Sequence, residues 1–250
     1  MIPIADEWLS RTELLLGSEK LEQLKKARVL VVGLGGVGAV AAEMICRAGV
    51  GNMVIVDGDC VQESNRNRQI PALKSTTGQK KTVVLAERLL DINPELNLFA
   101  ISEFLEEDLI KEIVKIPFDF VVDAIDTLTP KLDLIFHCLE NKLKIVSSMG
   151  AGGKLDPTQV QIDDLFKTHN CNFAQEIRKR LRKKGIKSGV QAVFSPEMVA
   201  KESKIITETE LFKKSIVGTI SYMPIIFGCN CASVVIRDLV SKYNKKAVRV

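Results

Sequence analysis

RVLVVGLGGVGAV, residues 28–40, constrains the fold more than any other stretch of this 250-residue chain. An apolar run ends at Gly33; glycines follow at 35, 36 and 38, and an alanine-rich helical pattern begins. The pattern is a buried strand, a tight turn and a helix whose first N–H groups can receive phosphate. Asp57 closes the next apolar run, where a carboxylate suits ribose hydroxyls. Alone, this unit fits nicotinamide, flavin and adenine nucleotides alike. A P-loop is excluded: Gly153-Lys154 is followed by Leu155 and lacks the earlier glycine.

The rest of the chain alternates strand and helix patterns. RTELLLGSEKLEQLKKA reads as a helix interrupted at Gly17, with Leu14, Leu15, Leu21 and Leu24 on its apolar side. After the glycine loop come helix AVAAEMICRAG, ended by Gly49, and strand MVIVDGD. Helix KTVVLAERLLDINP stops at Asn93-Pro94, followed by strand LNLFAI, helix LEEDLIKEIVK and strand FDFVVDAID. Thr129 and Pro130 are expected to cap and open helix PKLDLIFHCLENK, which leads into strand KIVSS. Val- and Ile-rich strands between helices predict an α/β fold, a Rossmann-like, mostly parallel sheet covered on both faces. Past Gly150 the pattern changes to a turn and strand, a basic helix, strand VQAVF, a polar loop from Ser195 to Ser215 and a last helix near Pro224.

Charge is unevenly spread. Seven of the chain's 35 lysines and arginines fall in RKRLRKKGIK, residues 178–187, without one acid; elsewhere carboxylates outnumber cations. Ile177 and Leu181, four apart, can anchor such a helix while Arg178, Lys179, Arg180, Arg182, Lys183, Lys184 and Lys187 fan outward, a pattern suited to nucleic-acid phosphates. The first residues lack a signal-peptide core, and six scattered cysteines include no C-x-x-C pair, so reduced cytoplasmic thiols and no zinc site are expected. Ile216 to Ile236 is uncharged but broken by glycines, Pro224 and polar residues, and reads as a buried core helix rather than a membrane span.

Later residues narrow the chemistry. Asp57 and Asp59, then Asn65-Arg66-Asn67-Arg68-Gln69, then Lys81 opening a helix, then Asp126 leaving a strand all fall at loop ends over one crevice. Hydride transfer has no use for two cations beside its phosphates. Attack on the α-phosphate of ATP does, because the leaving pyrophosphate concentrates negative charge. Asp126 suits Mg²⁺ as a hard oxygen ligand beside phosphates.

These motifs resemble the ubiquitin-activating-enzyme-like (ThiF-like) adenylyltransferases. The resemblance rests on Arg11, Gly33 to Gly38, Asp57, Asn65 to Gln69, Lys81, Asp126 and a last helix with Pro224 and Gly228. It implies one adenylate-forming domain over 1–250, with a nucleotide-binding half to 150 and a substrate-side, dimerising part beyond. It also implies ATP held by Gly33, Gly35, Gly36, Gly38, Asp57, Asp59, Asn65, Arg68 and Lys81, and a homodimer in which Arg11 reaches the partner's site. STTGQKK, DINPE, VVDAIDTLTPK and GAGGKLDPTQVQIDDLFKT are similar to one branch, the bacterial tRNA threonylcarbamoyladenosine dehydratases. For that branch the substrate is the threonylcarbamoyl carboxylate on a tRNA adenosine, adenylated and then cyclised. A monovalent cation and a cysteine-desulfurase or other sulfur-acceptor partner are left open. The rival is activation of a ubiquitin-like sulfur carrier ending in Gly-Gly. Cys229 and Cys231 read as buried small residues, Cys171 beside His169 as the better candidate for a reactive thiol, and His137 as structural.

Overall fold

Alternation of branched apolar strands with amphipathic helices builds one parallel sheet whose strand ends gather the loops named above. The computed structural model describes residues 7–206 and 215–241. In chain order these form α1 (Ser10–Leu16), α2 (Ser18–Lys26), β1 (Arg28–Val32), α3 (Gly38–Arg47), β2 (Asn52–Val56), α4 (Lys81–Ile92), β3 (Asn97–Ile101) and α5 (Glu107–Ile113). There follow β4 (Phe120–Asp123), α6 (Leu128–Glu140), β5 (Ile145–Ser148), β6 (Gln161–Asp164), α7 (Asn172–Lys183), β7 (Gln191–Phe194), β8 (Lys204–Ile206), β9 (Ser215–Val217) and α8 (Tyr222–Ser241).

Seven strands pair in the order β3-β2-β1-β4-β5-β7-β6, all parallel except β6, which runs antiparallel on the edge. Residues of α2, α3, α4 and α8 form the core on one face, and residues of α5, α6 and α7 form it on the other. The expected fold class is what the chain adopts.

α8 shows why so apolar a segment belongs inside. Met223, Phe227, Cys231, Val235 and Leu239, four apart, are buried against α3, α2 and the sheet. Each large apolar side chain so buried stabilises the fold by roughly 1.5–3 kcal/mol. Among the described residues α8 is the one helix long and apolar enough to cross a membrane, and half of it lies inside the fold. Gly228 permits the close approach to α3: a Cβ there would lie 2.5 Å from the Val37 carbonyl oxygen and 2.7 Å from the Val40 Cβ.

Three local expectations are corrected. Gly17 (φ +83°) separates two helices rather than interrupting one, and only Leu21 and Leu24 are buried; Leu14 and Leu15 are 85% and 83% exposed. α6 starts at Leu128 after Thr127 at the cap, so Pro130 lies in the first turn, where its missing N–H has no intrahelical partner to lose. α8 starts at Tyr222, near Pro224 as expected. The polar loop from Ser195 contains a short 3-10 turn and β8, which pairs antiparallel with β9; residues 207–214 of that loop lie outside the described residues.

Candidate nucleotide site

The sheet order reverses between β1 and β4, so the loops leaving them part and leave a crevice at the strand carboxyl ends. Gly33 sits at its floor. Its φ of +84° disfavours other residues, and a Cβ there would lie 2.8 Å from the Ala124 carbonyl oxygen. A Cβ on Gly38 would strike the Gly33 carbonyl, so the turn closes tightly onto the first residue of α3. The loop after β4 thus forms one wall of the glycine turn.

The other wall is acidic and basic together. Asp57, just past β2, accepts the Leu34 N–H at 2.6 Å on Oδ2 and the Asp59 N–H at 2.7 Å on Oδ1. Burial pushes its carboxyl above the ordinary range; the Lys81 charge and the two N–H donors oppose that. Lys81, buried at the start of α4, places Nζ 2.8 Å from Asp59 and 4.0 Å from Asp57. Asp59 therefore holds the lysine in this arrangement.

Arg68 leaves the segment 65–69 half-buried, donating from Nη1 to the Ser64 carbonyl and to Asn67 Oδ1, each at 2.8 Å. Asn65 is buried and shapes that segment: its Oδ1 accepts the Gln62 N–H at 3.1 Å and its carbonyl accepts from Arg68 and Gln69. Asn67 Nδ2 donates to the Thr219 carbonyl at 2.9 Å, tying the segment to the chain entering α8. Gly36 lies against Pro224 and the Arg68 carbonyl, and Gly35 faces the Gln69 side chain.

Across the crevice, Asp126 is exposed on the turn after β4. Beneath it lies a pair that the sequence reading missed. Asp123 and Lys131 are both 0% exposed, with Nζ 2.8 Å from Asp123 Oδ2, which also accepts Ser147 Oγ at 2.6 Å. The signal was present: Lys131 occupies the same helical stripe as Leu134, Ile135 and Cys138. Glu197 was missed as well. It accepts the N–H groups of Leu155 and Asp156 at 3.0 and 3.1 Å and pairs with Ser195 Oγ, holding the 154–156 loop beside β7.

Among the described residues no group of three or more His, Cys, Asp or Glu is placed to hold a metal alone. Asp126 fits instead an ion shared with phosphate oxygens, being a hard carboxylate on the wall facing the glycine turn.

Two sets of predicted residues lie away from the crevice. Arg11 is exposed on α1, and Leu9 just before it packs where a Cβ on Gly49 would point, beyond the far end of α3. The arginine does not join its own chain's site. On α7, Phe173 approaches Lys131 at the crevice end (5.8 Å), whereas Lys184 lies 3.9 Å over Phe136 toward the other end of α6. α7 therefore runs from the crevice end toward the strand amino ends, with Lys184 at its far end, while Arg182 lies 5.5 Å over Phe166. Within the cluster Arg178 is half-buried on Thr168 and Arg180 pairs with Glu176; Lys179, Arg182, Lys183, Lys184 and Lys187 are exposed. Cys171 is buried rather than accessible, and so is Cys231; His137 bonds Glu140 at 3.0 Å on α6.

The model of the ThiF family matches residues 9–249. The chain belongs to the ThiF family. Among ThiF-family relatives it is similar to the tRNA threonylcarbamoyladenosine dehydratase of Bacillus subtilis, 46% identical over 188 residues covering 75% of this chain and 74% of that one. The crystal structure of the Escherichia coli tRNA N6-threonylcarbamoyladenosine dehydratase in complex with ATP superposes with a TM-score of 0.87 at 34% identity, over 97% of this chain and 98% of that one. The Escherichia coli molybdopterin-synthase adenylyltransferase is 34% identical over 126 residues, half of each chain.

Proposed function

We propose that this chain is an ATP-dependent tRNA threonylcarbamoyladenosine dehydratase, acting in the cytoplasm as a homodimer. The observation that carries the reading is the crevice itself: a glycine turn walled by Asp57 and Lys81 on one side and by the Ala124–Asp126 turn on the other. The relatives named above that match most of the chain carry that enzyme's name, whereas likeness to the carrier-protein activator spans half of it.

ATP is consumed in the reaction and is a substrate. The glycine turn and the first N–H groups of α3 receive its phosphates, and Asp57 holds the ribose hydroxyls with the lone pairs that its backbone donors leave over. The threonylcarbamoyl carboxylate attacks the α-phosphorus, forming an acyl adenylate and expelling pyrophosphate. Arg68, Lys81 and Arg11 of the second copy balance the charge that develops. Lys81 does this from a fixed post, since Asp59 restrains its ammonium. Mg²⁺, held by Asp126 and the phosphates, would withdraw electron density from the phosphoryl oxygens.

The second step needs no enzyme nucleophile. An atom of the tethered threonylcarbamoyl group attacks the activated carbonyl and AMP leaves, so one water is lost overall. Tethering gives the high effective concentration that makes such closure fast. Cys231 agrees with this: burial pushes its thiol up to about 12, which leaves no thiolate there at neutral pH. The exposed cations of α7 hold tRNA phosphates along the flank while the modified base enters the crevice.

Digestion of the reacted tRNA to nucleosides, followed by mass spectrometry, tests the reading. The modified adenosine should lose the mass of one water only when ATP is supplied. An unchanged nucleoside would refute it.

A further inference from the structure

Asp123 and Lys131 form a fully buried ion pair where an apolar pair would serve stability at least as well. Their partners suggest what the charges are for. Lys131 Nζ donates to the Ile125 carbonyl at 2.9 Å, and Asp123 Oδ1 accepts the Ile125 N–H at 3.1 Å. Both backbone polar groups of one residue are therefore fixed by this pair. That residue directly precedes Asp126 and directly follows Ala124, whose carbonyl closes against Gly33. Ser147 Oγ donates to the same Oδ2 that faces the lysine, and Oδ1 is held by the Ile125 N–H, so both carboxylate oxygens are engaged and the group cannot turn away from the lysine.

We infer that Lys131 is a positioning residue for the nucleotide site, fixing the Ala124–Asp126 turn so that the Asp126 carboxylate faces the phosphates across the glycine loop. The inference rests on the proposed role of Asp126. Lys131 is buried beneath the turn, bounded by the Phe173 ring on α7 as well as by Asp123 and Ile125. It acts through the turn and touches no substrate.

Lys131→Met alone strands a buried carboxylate and endangers folding. The double variant Asp123→Asn/Lys131→Met removes both charges and both lysine hydrogen bonds while keeping the volume. The experiment measures binding by the full chain of ATP with Mn²⁺, by electron paramagnetic resonance and calorimetry, and of ATP without metal, alongside the melting temperature. The double variant should melt like a folded protein, bind metal-free ATP within about twofold of the parent, and bind Mn²⁺ with ATP at least tenfold more weakly. Equal loss with and without metal would mean that the pair is only a cross-link between β4, β5 and α6, and would overturn the inference. So would unchanged Mn²⁺ binding. Asp126→Ala is the control: if it weakens Mn²⁺ binding and the double variant does not, the positioning role alone fails. If Asp126→Ala has no effect, the role of Asp126 fails and the inference with it.

Discussion

The carboxylate of Asp57 accepts the backbone N–H of Leu34 at 2.6 Å, joining the acid at the end of β2 to the glycine loop itself. Asp57→Asn should weaken ATP binding by about tenfold or more, since it removes a charged acceptor from the ribose side. Stability should respond in the opposite sense. Burial raises the Asp57 carboxyl above its ordinary value of 3.8, so ionising it costs more in the fold than in the unfolded chain. Its contribution favours the fold below that value and is lost as pH rises through the raised one. Denaturant unfolding should therefore show Asp57→Asn gaining on the parent as pH rises above about 4. A gap that widens against the variant over that range would contradict the assignment.

Gly228→Ala separates packing from helix propensity. In an exposed helix the change stabilises by up to about 1 kcal/mol. Here the new methyl meets the Val37 carbonyl and Val40 of α3, and overpacking costs about 1–3 kcal/mol. The expected result is a melting temperature lower by a few degrees, with about 2–4 °C for each kcal/mol in a chain of this size. A rise in melting temperature would mean that α8 does not press on α3.

Replacing Lys179, Lys183 and Lys187 by glutamine should weaken tRNA binding and leave ATP affinity unchanged. Each phosphate left without its cation lowers the slope of log affinity against log salt by about 0.7–0.9, so the three together should lower it by about 2 to 3. A parent-like slope would make α7 an ordinary solvated face.

Much of the site was legible because its parts are local. β1, the glycine turn and α3 follow one another without interruption, and the glycines have a steric reason visible in the spacing alone. Asp57, Arg68, Lys81 and Asp126 could be grouped because parallel strands put their following loops on one edge. What could not be read is what depends on packing. Lys131 looked polar on a helix, yet its stripe carries it under the β4 turn. Leu14 and Leu15 looked like core, but the helix they belong to ends at Gly17 and leaves them outside. β8 and β9 are three residues each, too short for alternation to register. Arg11 gave no sign that Leu9 would carry it to the far end of α3.

The central claim is that adenylation at this crevice is directed at a modified base of tRNA. AMP release should be measured with ATP and tRNA carrying threonylcarbamoyladenosine, with the same tRNA unmodified, with a Gly-Gly-ended carrier protein, and with ATP alone. The account expects AMP with the modified tRNA only, and its loss by about a hundredfold or more in Asp126→Ala. AMP release stimulated by the carrier protein and indifferent to the modified base would contradict it.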